Sequence, residues 1–279
     1  VRPRIFDYST AYVNPYVSME YYAYHTVHEL FLYGDLTLQQ WIDIFNRIRF
    51  VCDDFKRYTV QDTNIRQALE EMYLTKTLQR FEKMKKDERF LAFFESPITV
   101  NGKKYQPLEK IIVALETAIP EMLYDVDTFN IIHGDLCFAN IMVDSNFSFI
   151  KVIDPRGKFG TYDIYGDFRY ELAKLFHSVD GKYDFIIKDL FDFDYNIETS
   201  CINYRIQDRK REFNLYKVFL DTFAAEIGND LRRVELIEAL LFLSMIPLHG
   251  ESIRHQMVML GTGLEILNRV VNIQVEGEE

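Results

Sequence analysis

The sequence predicts an α+β chain that is mostly helical, with one small cluster of strands near its middle. Three observations predict it. Apolar residues recur at helical spacing over long stretches on either side of the centre. Between residues 130 and 153 that spacing gives way to three short apolar runs, each ending at polar residues. Of the 279 residues 48% are hydrophobic, while only 12 are Gly and 7 Pro, which is the make-up of an ordinary globular chain with a sizeable core.

The elements follow in order. The first 34 residues are rich in Tyr and Pro and read as strand and turn, with residues 19–24 carrying the aromatic bias of a strand. Thr37-Leu38-Gln39-Gln40 fits a capping box, and Leu38, Trp41, Ile42, Phe45, Ile48, Cys52 and Phe55 continue as one helical face. A second helix is expected over 64–86, with Ile65, Leu69, Met72 and Tyr73 inward. Pro97 and Asn101-Gly102 mark 96–106 as a loop or short hairpin. Pro107 suits the first turn of a helix carrying Leu108, Ile111, Ile112 and Leu115, and Pro120 is expected to end it. Strands are expected at 130–132, 141–143 and 149–153, the last two around the turn Asp144-Ser145-Asn146. After Gly166 the chain reads as helical almost to its end, with Leu172, Leu175, Phe176 and Val179 on one face, a stop at Gly181 and a break at Pro247. There is no internal repeat, low-complexity tract or clear linker.

Composition narrows the function classes. A net charge of −11 repels phosphate backbones and anionic membranes, so no nucleic-acid partner and no membrane insertion are expected. The one dense basic run, 83–89, is interrupted by Asp87 and Glu88 and reads as a solvated helix face. Cys52, Cys137 and Cys201 are odd in number and lack C-x-x-C spacing, which argues against a disulfide framework or a zinc site and suits a reducing, cytoplasmic setting. No run reaches the ~18 apolar residues of a membrane span, and no signal peptide is visible. The 23 Phe and 18 Tyr read first as a core rich in rings.

Two segments carry chemistry: His133-Gly134-Asp135-Leu136-Cys137-Phe138-Ala139-Asn140, and Ile153-Asp154-Pro155-Arg156-Gly157. A strand core gains nothing from unpaired polar groups, whose burial costs free energy. Asp154 follows Asp135 by 19 residues, across a predicted hairpin that folds it back beside Asp135 and Asn140. Two carboxylates and an amide converging there make an oxygen-rich site suited to Mg²⁺, a hard cation that takes few protein ligands and leaves room for phosphate oxygens. Asp144, which closes a strand, reads as a turn residue.

The spacing of an Asp, an Asn five residues on, and a second Asp resembles the protein-kinase catalytic apparatus. The wording H-G-D-x-x-x-x-N followed by I-D-P-R-G is similar to the aminoglycoside phosphotransferase and choline kinase superfamily. It most resembles a bacterial branch linked to capsule and surface-polysaccharide biosynthesis. The likeness extends from about Met19 to the last helix. It implies a protein-kinase-like fold that is mostly the helical large lobe, with ATP as phosphate donor and Mg²⁺ as cofactor. It assigns Asp135 as catalytic base, Asn140 and Asp154 as metal ligands, and His133 as a brace of the loop. Asp167 would cap a helix and tie down the catalytic loop. Met19, Glu20 and Tyr21 would belong to the hinge that receives the adenine.

Such kinases carry a small lobe with a strand-borne Lys on the phosphates. Here the first Lys is Lys56 and the first Gly is Gly34. The expectation is therefore that 1–34 is a remnant of the small lobe and hinge, that 35–279 is the large lobe, that an upstream domain of a longer chain precedes Val1, and that these residues alone bind ATP weakly. The acceptor the resemblance implies is a small polar molecule bearing a hydroxyl: a sugar, polyol or amino alcohol. Arg156 is a candidate for a phosphate or substrate anion, and His249, Arg254 and His255 gather near a helix break as further candidates. A choline-type site would instead need an aromatic cage with acids. The alternatives are a catalytically inactive kinase-like binding module, a choline- or ethanolamine-type kinase, a protein kinase, for which no Ala-Pro-Glu segment follows Asp154, and a helical interaction protein, which leaves the polar residues unexplained.

Overall fold

The computed structural model of the chain describes residues 2–275. Strands β1 (Ile5–Ser9) and β2 (Tyr16–Met19) form an antiparallel ribbon with little of its surface covered. Strand β3 (His25–Thr26) runs into helix α1 (Val27–Tyr33), where the Thr26 hydroxyl accepts from the Glu29 amide and the Glu29 carboxylate accepts from the Thr26 amide. The sequence reading placed a strand at 19–24 and no helix before residue 37, and both points are corrected. An extended segment is a strand only where a neighbour takes its backbone groups. Residues 20–24 lie outside any ladder, and the Thr26/Glu29 capping box overrides the aromatic bias just before it.

Helix α2 (Leu38–Lys56) starts at the expected capping box and buries Trp41, Phe45, Ile48 and Cys52. After β4 (Thr59–Val60), the helix expected over 64–86 forms as α3 (Ile65–Leu69), a π-helical segment (Glu70–Thr75) and α4 (Lys76–Lys85). Helix α5 (Leu91–Glu95) precedes the hairpin β5 (Ile98–Val100) and β6 (Lys103–Tyr105). That hairpin turns on Asn101 and Gly102, both at positive φ (49° and 81°), which is why those two residue types stand there. Helix α6 (Leu108–Leu123) does not stop at Pro120 but runs through it. Proline removes one helical hydrogen bond, and the buried Ile119 and Leu123 hold the turn around it.

Strands β7 (Phe129–Ile131) and β10 (Tyr165–Gly166) pair beside β4, while β8 (Ile141–Val143) and β9 (Ile150–Val152) form a hairpin joined by β3. In the hairpin Ile141, Val143, Ile150 and Val152 face the core, and Met142 and Lys151 are less covered. Helix α7 (Phe168–Val179) is buried along its whole length and packs on α11 (Leu231–Met245), which packs in turn on α12 (Ile253–Val270). Between them lie α8 (Tyr183–Ile186), α9 (Leu215–Thr222), α10 (Ala224–Ile227) and two strands, β11 (Phe191–Asn196) and β12 (Cys201–Ile206). These strands correct the expectation of helix throughout. Phe191, Phe193 and Tyr195 alternate with Asp192 and Asp194, a strand period, and β12 also lies parallel to β5 in the four-stranded sheet β11-β12-β5-β6. Among the described residues no helix is long and apolar enough to cross a membrane. The mixed α+β fold, helical apart from small sheets, is the one the sequence predicts.

Candidate active site

The polar break lies on the loop between β7 and β8, and apolar residues inside that loop fix it. Leu136 and Phe138 are fully buried. The Phe138 ring sits among Phe31, Trp41 and Phe45, with centroids 5.3, 6.2 and 6.5 Å away. The backbone closes on itself through Cys137 N–H to Asp135 C=O (2.8 Å) and Asn140 N–H to Cys137 C=O (3.0 Å). Gly134 adopts φ +76°, and a Cβ there would stand 2.9 Å from the Arg156 Cβ, so both conformation and space call for glycine.

Buried polar groups hold the loop from behind. The Glu171 carboxylate, on α7, accepts from the amides of His133 (2.8 Å) and Gly134 (2.7 Å). Burial pushes its pKa up to about 7, against the pull of those two amides. His133 Nε2 donates to the Ile153 carbonyl (2.9 Å), and burial lowers the imidazole's pKa, so the ring is neutral and braces the two segments. Asp167 caps α7 by accepting from the Arg169 amide (2.9 Å); it also accepts from the Tyr73 hydroxyl (2.9 Å) and pairs with Arg169. The role expected of Asp167 therefore divides. Asp167 caps the helix, and Glu171, one turn further in, ties the 133–140 loop.

Asp135 and Asn140 meet. The Asn140 Nδ2 donates to the Asp135 backbone carbonyl (2.9 Å) and to Oδ2 (3.2 Å), which leaves the Asn140 Oδ1 as the atom open to a cation. The other Asp135 oxygen, Oδ1, lies 2.8 Å from Lys174 Nζ. Lys174 is buried; burial pulls its pKa down, but Tyr170 and Asp135 together raise it above its ordinary value. Asp135 itself is 36% exposed, so its carboxylate is held yet reachable.

Asp154 is set beside this loop by its neighbours. The Ile153 amide bonds the Asn140 carbonyl (3.0 Å), and the Arg156 amide bonds the His133 carbonyl (2.9 Å). Asp154 takes φ +54°, is exposed, and among the described residues its side chain has no hydrogen bond or ion pair. The Arg156 side chain is exposed, and among the described residues its guanidinium pairs with no carboxylate; it donates to the Tyr170 hydroxyl (3.0 Å), an uncharged partner. Asn140 and Asp154 thus offer oxygen donors free of protein hydrogen bonds, a donor set that fits Mg²⁺.

The other expected residues stand apart from this centre. Met19 ends the β2 ladder, and Glu20 is engaged with Arg4 through its amide (2.8 Å) and its carboxylate (3.2 Å), so only Tyr21 of the three expected hinge residues stays outside such contacts. Tyr22 and Tyr24 stack at 5.4 Å, and Tyr24 meets Phe149 edge-on. His255 and Arg254 both face Asp189 (3.2 and 3.8 Å), and His249 contacts Glu251 (3.1 Å). Among the described residues none of the three hydrogen-bonds the 133–140 loop; the His249 ring lies edge-on to Tyr183, which stacks on His177 of α7. His249, Glu251 and His255 place ligand atoms within 4.8 Å of one another. Asp144 is a turn residue, accepting from the amides of Ser148 and Phe149 (2.7 and 2.9 Å). A cleft of about 670 Å³ lined by Lys182, Asp208, Arg211 and Tyr216 includes no residue of the 133–140 loop.

Lys174 and Glu171 were not among the residues singled out from sequence. Their helical spacing along 168–179 showed a core helix, and nothing local marked two charged residues on it as partners of a loop nearly 40 positions away.

No protein-family model matches the sequence, and no curated protein matches it. Solved structures do. A glucosamine kinase in complex with glucosamine, ADP and inorganic phosphate is 12% identical, with 96% of this chain and 64% of that chain covered and a TM-score of 0.47. A choline kinase from Cryptosporidium parvum Iowa II is 13% identical, with 96% and 72% covered and a TM-score of 0.43. The chain thus spans about 64% of the length of the glucosamine kinase structure. At these identities and scores the likeness carries no argument about chemistry, which rests on the residues of the site.

Proposed function

We propose that the chain is an ATP- and Mg²⁺-dependent phosphotransferase of a small molecule's hydroxyl, a sugar, polyol or amino alcohol, with surface-polysaccharide assembly as the setting its motif wording suggests. The observation that carries this reading is the divided use of one polar loop. Asp135 is held between Asn140 and Lys174 with part of its surface open, while the Asn140 Oδ1 and the Asp154 carboxylate remain without protein donors.

Bound between Asn140 and Asp154, Mg²⁺ would supply neutralisation of the phosphate charge. The chain's own residues do the positioning. Asp135 accepts the hydrogen bond of the acceptor hydroxyl, fixes its oxygen in line with the terminal phosphorus, and receives its proton as the new O–P bond forms and the bond to the departing ADP breaks. Lys174 keeps Asp135 in place and balances its charge. His133 and Glu171 keep the loop from shifting, since a small misplacement costs much of the rate. Tyr21 and the backbone after it, rather than Met19 or Glu20, receive the adenine. The expected division of the chain at residue 34 belongs to the same proposal.

The test is Asp135→Asn, read by ADP release across a panel of sugars, polyols and amino alcohols and by nucleotide titration. We expect turnover to fall about 10²–10⁴-fold while ATP affinity holds. Equal turnover in the two proteins ends the assignment of Asp135 as base, and absence of any acceptor-dependent ADP release from either leaves the inactive binding module as the reading.

A further inference from the structure

Cations collect beside Asp135 beyond the one that pairs with it. Lys76 opens α4 directly after the π-helical segment, and Arg80 follows one turn on, on the same helical face. Both are half-buried, and among the described residues neither has an ion pair or a side-chain hydrogen bond. Arg156 adds a guanidinium bonded only to a phenol. Burial, then the charges of Arg156, Lys174 and Arg80, pull the Lys76 pKa down to about 7, while Asp135 pulls it the other way. Geometry places them on one side: Tyr73, three residues before Lys76, packs on Tyr170 of α7 with ring centroids 6.4 Å apart, the Tyr170 hydroxyl takes the Arg156 guanidinium (3.0 Å), and Lys174, one turn after Tyr170, reaches Asp135 (2.8 Å).

This gathering is costly and specific. The chain carries 43 acidic residues against 32 basic ones, yet of the four cations only Lys174 pairs with an acid. Like charges brought close repel, most of all at the half-buried Lys76 and Arg80, and an entering anion lowers that repulsion. The π-helical segment supports the same reading, because such segments recur where a helix must aim side chains at a site. Asn140 and Asp154, the proposed metal side, lie on a different element from α4.

We propose that Lys76, Arg80 and Arg156 bind an anionic group on the acceptor, a carboxylate or phosphate, so that the substrate is an acidic small alcohol and not an amine. This rests on the phosphotransferase reading for the word acceptor, and on the three cations alone for the anion. An acceptor carboxylate or phosphate there lowers the repulsion among the cations and points its hydroxyl at Asp135.

Two measurements test it. The first is calorimetric titration of the protein with matched ligands: glucose, glucosamine, glucuronate and glucose 1-phosphate, with glycerol and glycerol 3-phosphate. The anions are expected to bind at least about tenfold more tightly than their neutral parents, with Lys76→Met and Arg80→Met each removing the preference and Lys76→Arg keeping it. No preference for any anion, or a preference that survives both Met substitutions, overturns the anion site whatever the enzyme does. The second is ADP release at varied acceptor and ATP. Lys76→Met is expected to raise the KM for an acidic acceptor about tenfold and leave the KM for ATP unchanged. A rise in the ATP KM alone assigns the cations to the donor's phosphates and overturns the proposal. Turnover that is absent in every protein while anion binding and its loss are intact sinks the phosphotransferase reading and not the anion site.

Discussion

The 133–140 loop and the 154–158 segment are neighbours joined by the backbone hydrogen bond from Arg156 to His133, yet they are built on opposite plans. The first is fixed from every side: Phe138 sits in an aromatic cluster, Glu171 takes two of its amides, and Asn140 and Lys174 hold Asp135. The second is exposed throughout, and its Asp154 has a strained φ and, among the described residues, no side-chain partner. On the proposed reading, the group that would meet one atom at one angle is locked, and the group that would meet a mobile, hydrated ion is left free. Rigidity is concentrated where geometry decides the rate.

That contrast breaks most visibly at Phe138. Phe138→Ala opens a cavity in the ring cluster and is expected to lower unfolding stability by about 3–5 kcal/mol, whereas Lys158→Ala is expected to stay within about 0.5 kcal/mol, both read by urea unfolding. Comparable losses would mean that the outer segment is as tightly built as the loop. The next effect is at Glu171. Glu171→Gln turns an amide group toward one of two buried N–H donors and should cost about 1–3 kcal/mol. It also changes the pH profile. The folded carboxyl, with a pKa of about 7 against an ordinary 4.5, holds its proton where the unfolded one has lost it. Wild-type stability should therefore fall as pH rises from 4.5 to about 7 and then level, and the Gln variant should lack that fall. Parallel curves would show that Glu171 is ionised throughout. A smaller effect, of opposite sign, is expected at Asp154. Asp154→Gly relieves a left-handed backbone and should stabilise by about 1 kcal/mol or less, while acceptor-dependent turnover in Mg²⁺ drops sharply. Full turnover in that variant would remove Asp154 from the metal.

Much of this was legible locally. Thr37 with Gln40 marked a helix start, Asn101-Gly102 a loop or short hairpin, and the apolar runs on either side of the turn Asp144-Ser145-Asn146 the β8–β9 pair. The loop with Asp135 and Asn140 was legible because its polar residues interrupt apolar runs. Helix α1 was missed because Tyr21, Tyr22 and Tyr24 just before it outweighed the short Thr26/Glu29 signal. The β11–β12 hairpin was missed although its aromatic alternation was present, because helices flank it on both sides. Glu171 and Lys174 were not legible at all. A charged residue on a core helix announces burial and not its partner, and the partner here is set by how α7 lies behind the loop.

The π-helical segment at Glu70–Thr75 has a consequence for how the site was acquired and how it can be lost. An α-helix advances about 100° per residue, so one surplus residue rotates everything that follows by that angle without interrupting the rod. Deleting a single codon within 70–75 would let an unbroken helix form while swinging Lys76 and Arg80 to another side. The same three-nucleotide step, taken in reverse, would bring two positive charges to Asp135 at once in a lineage that lacked them.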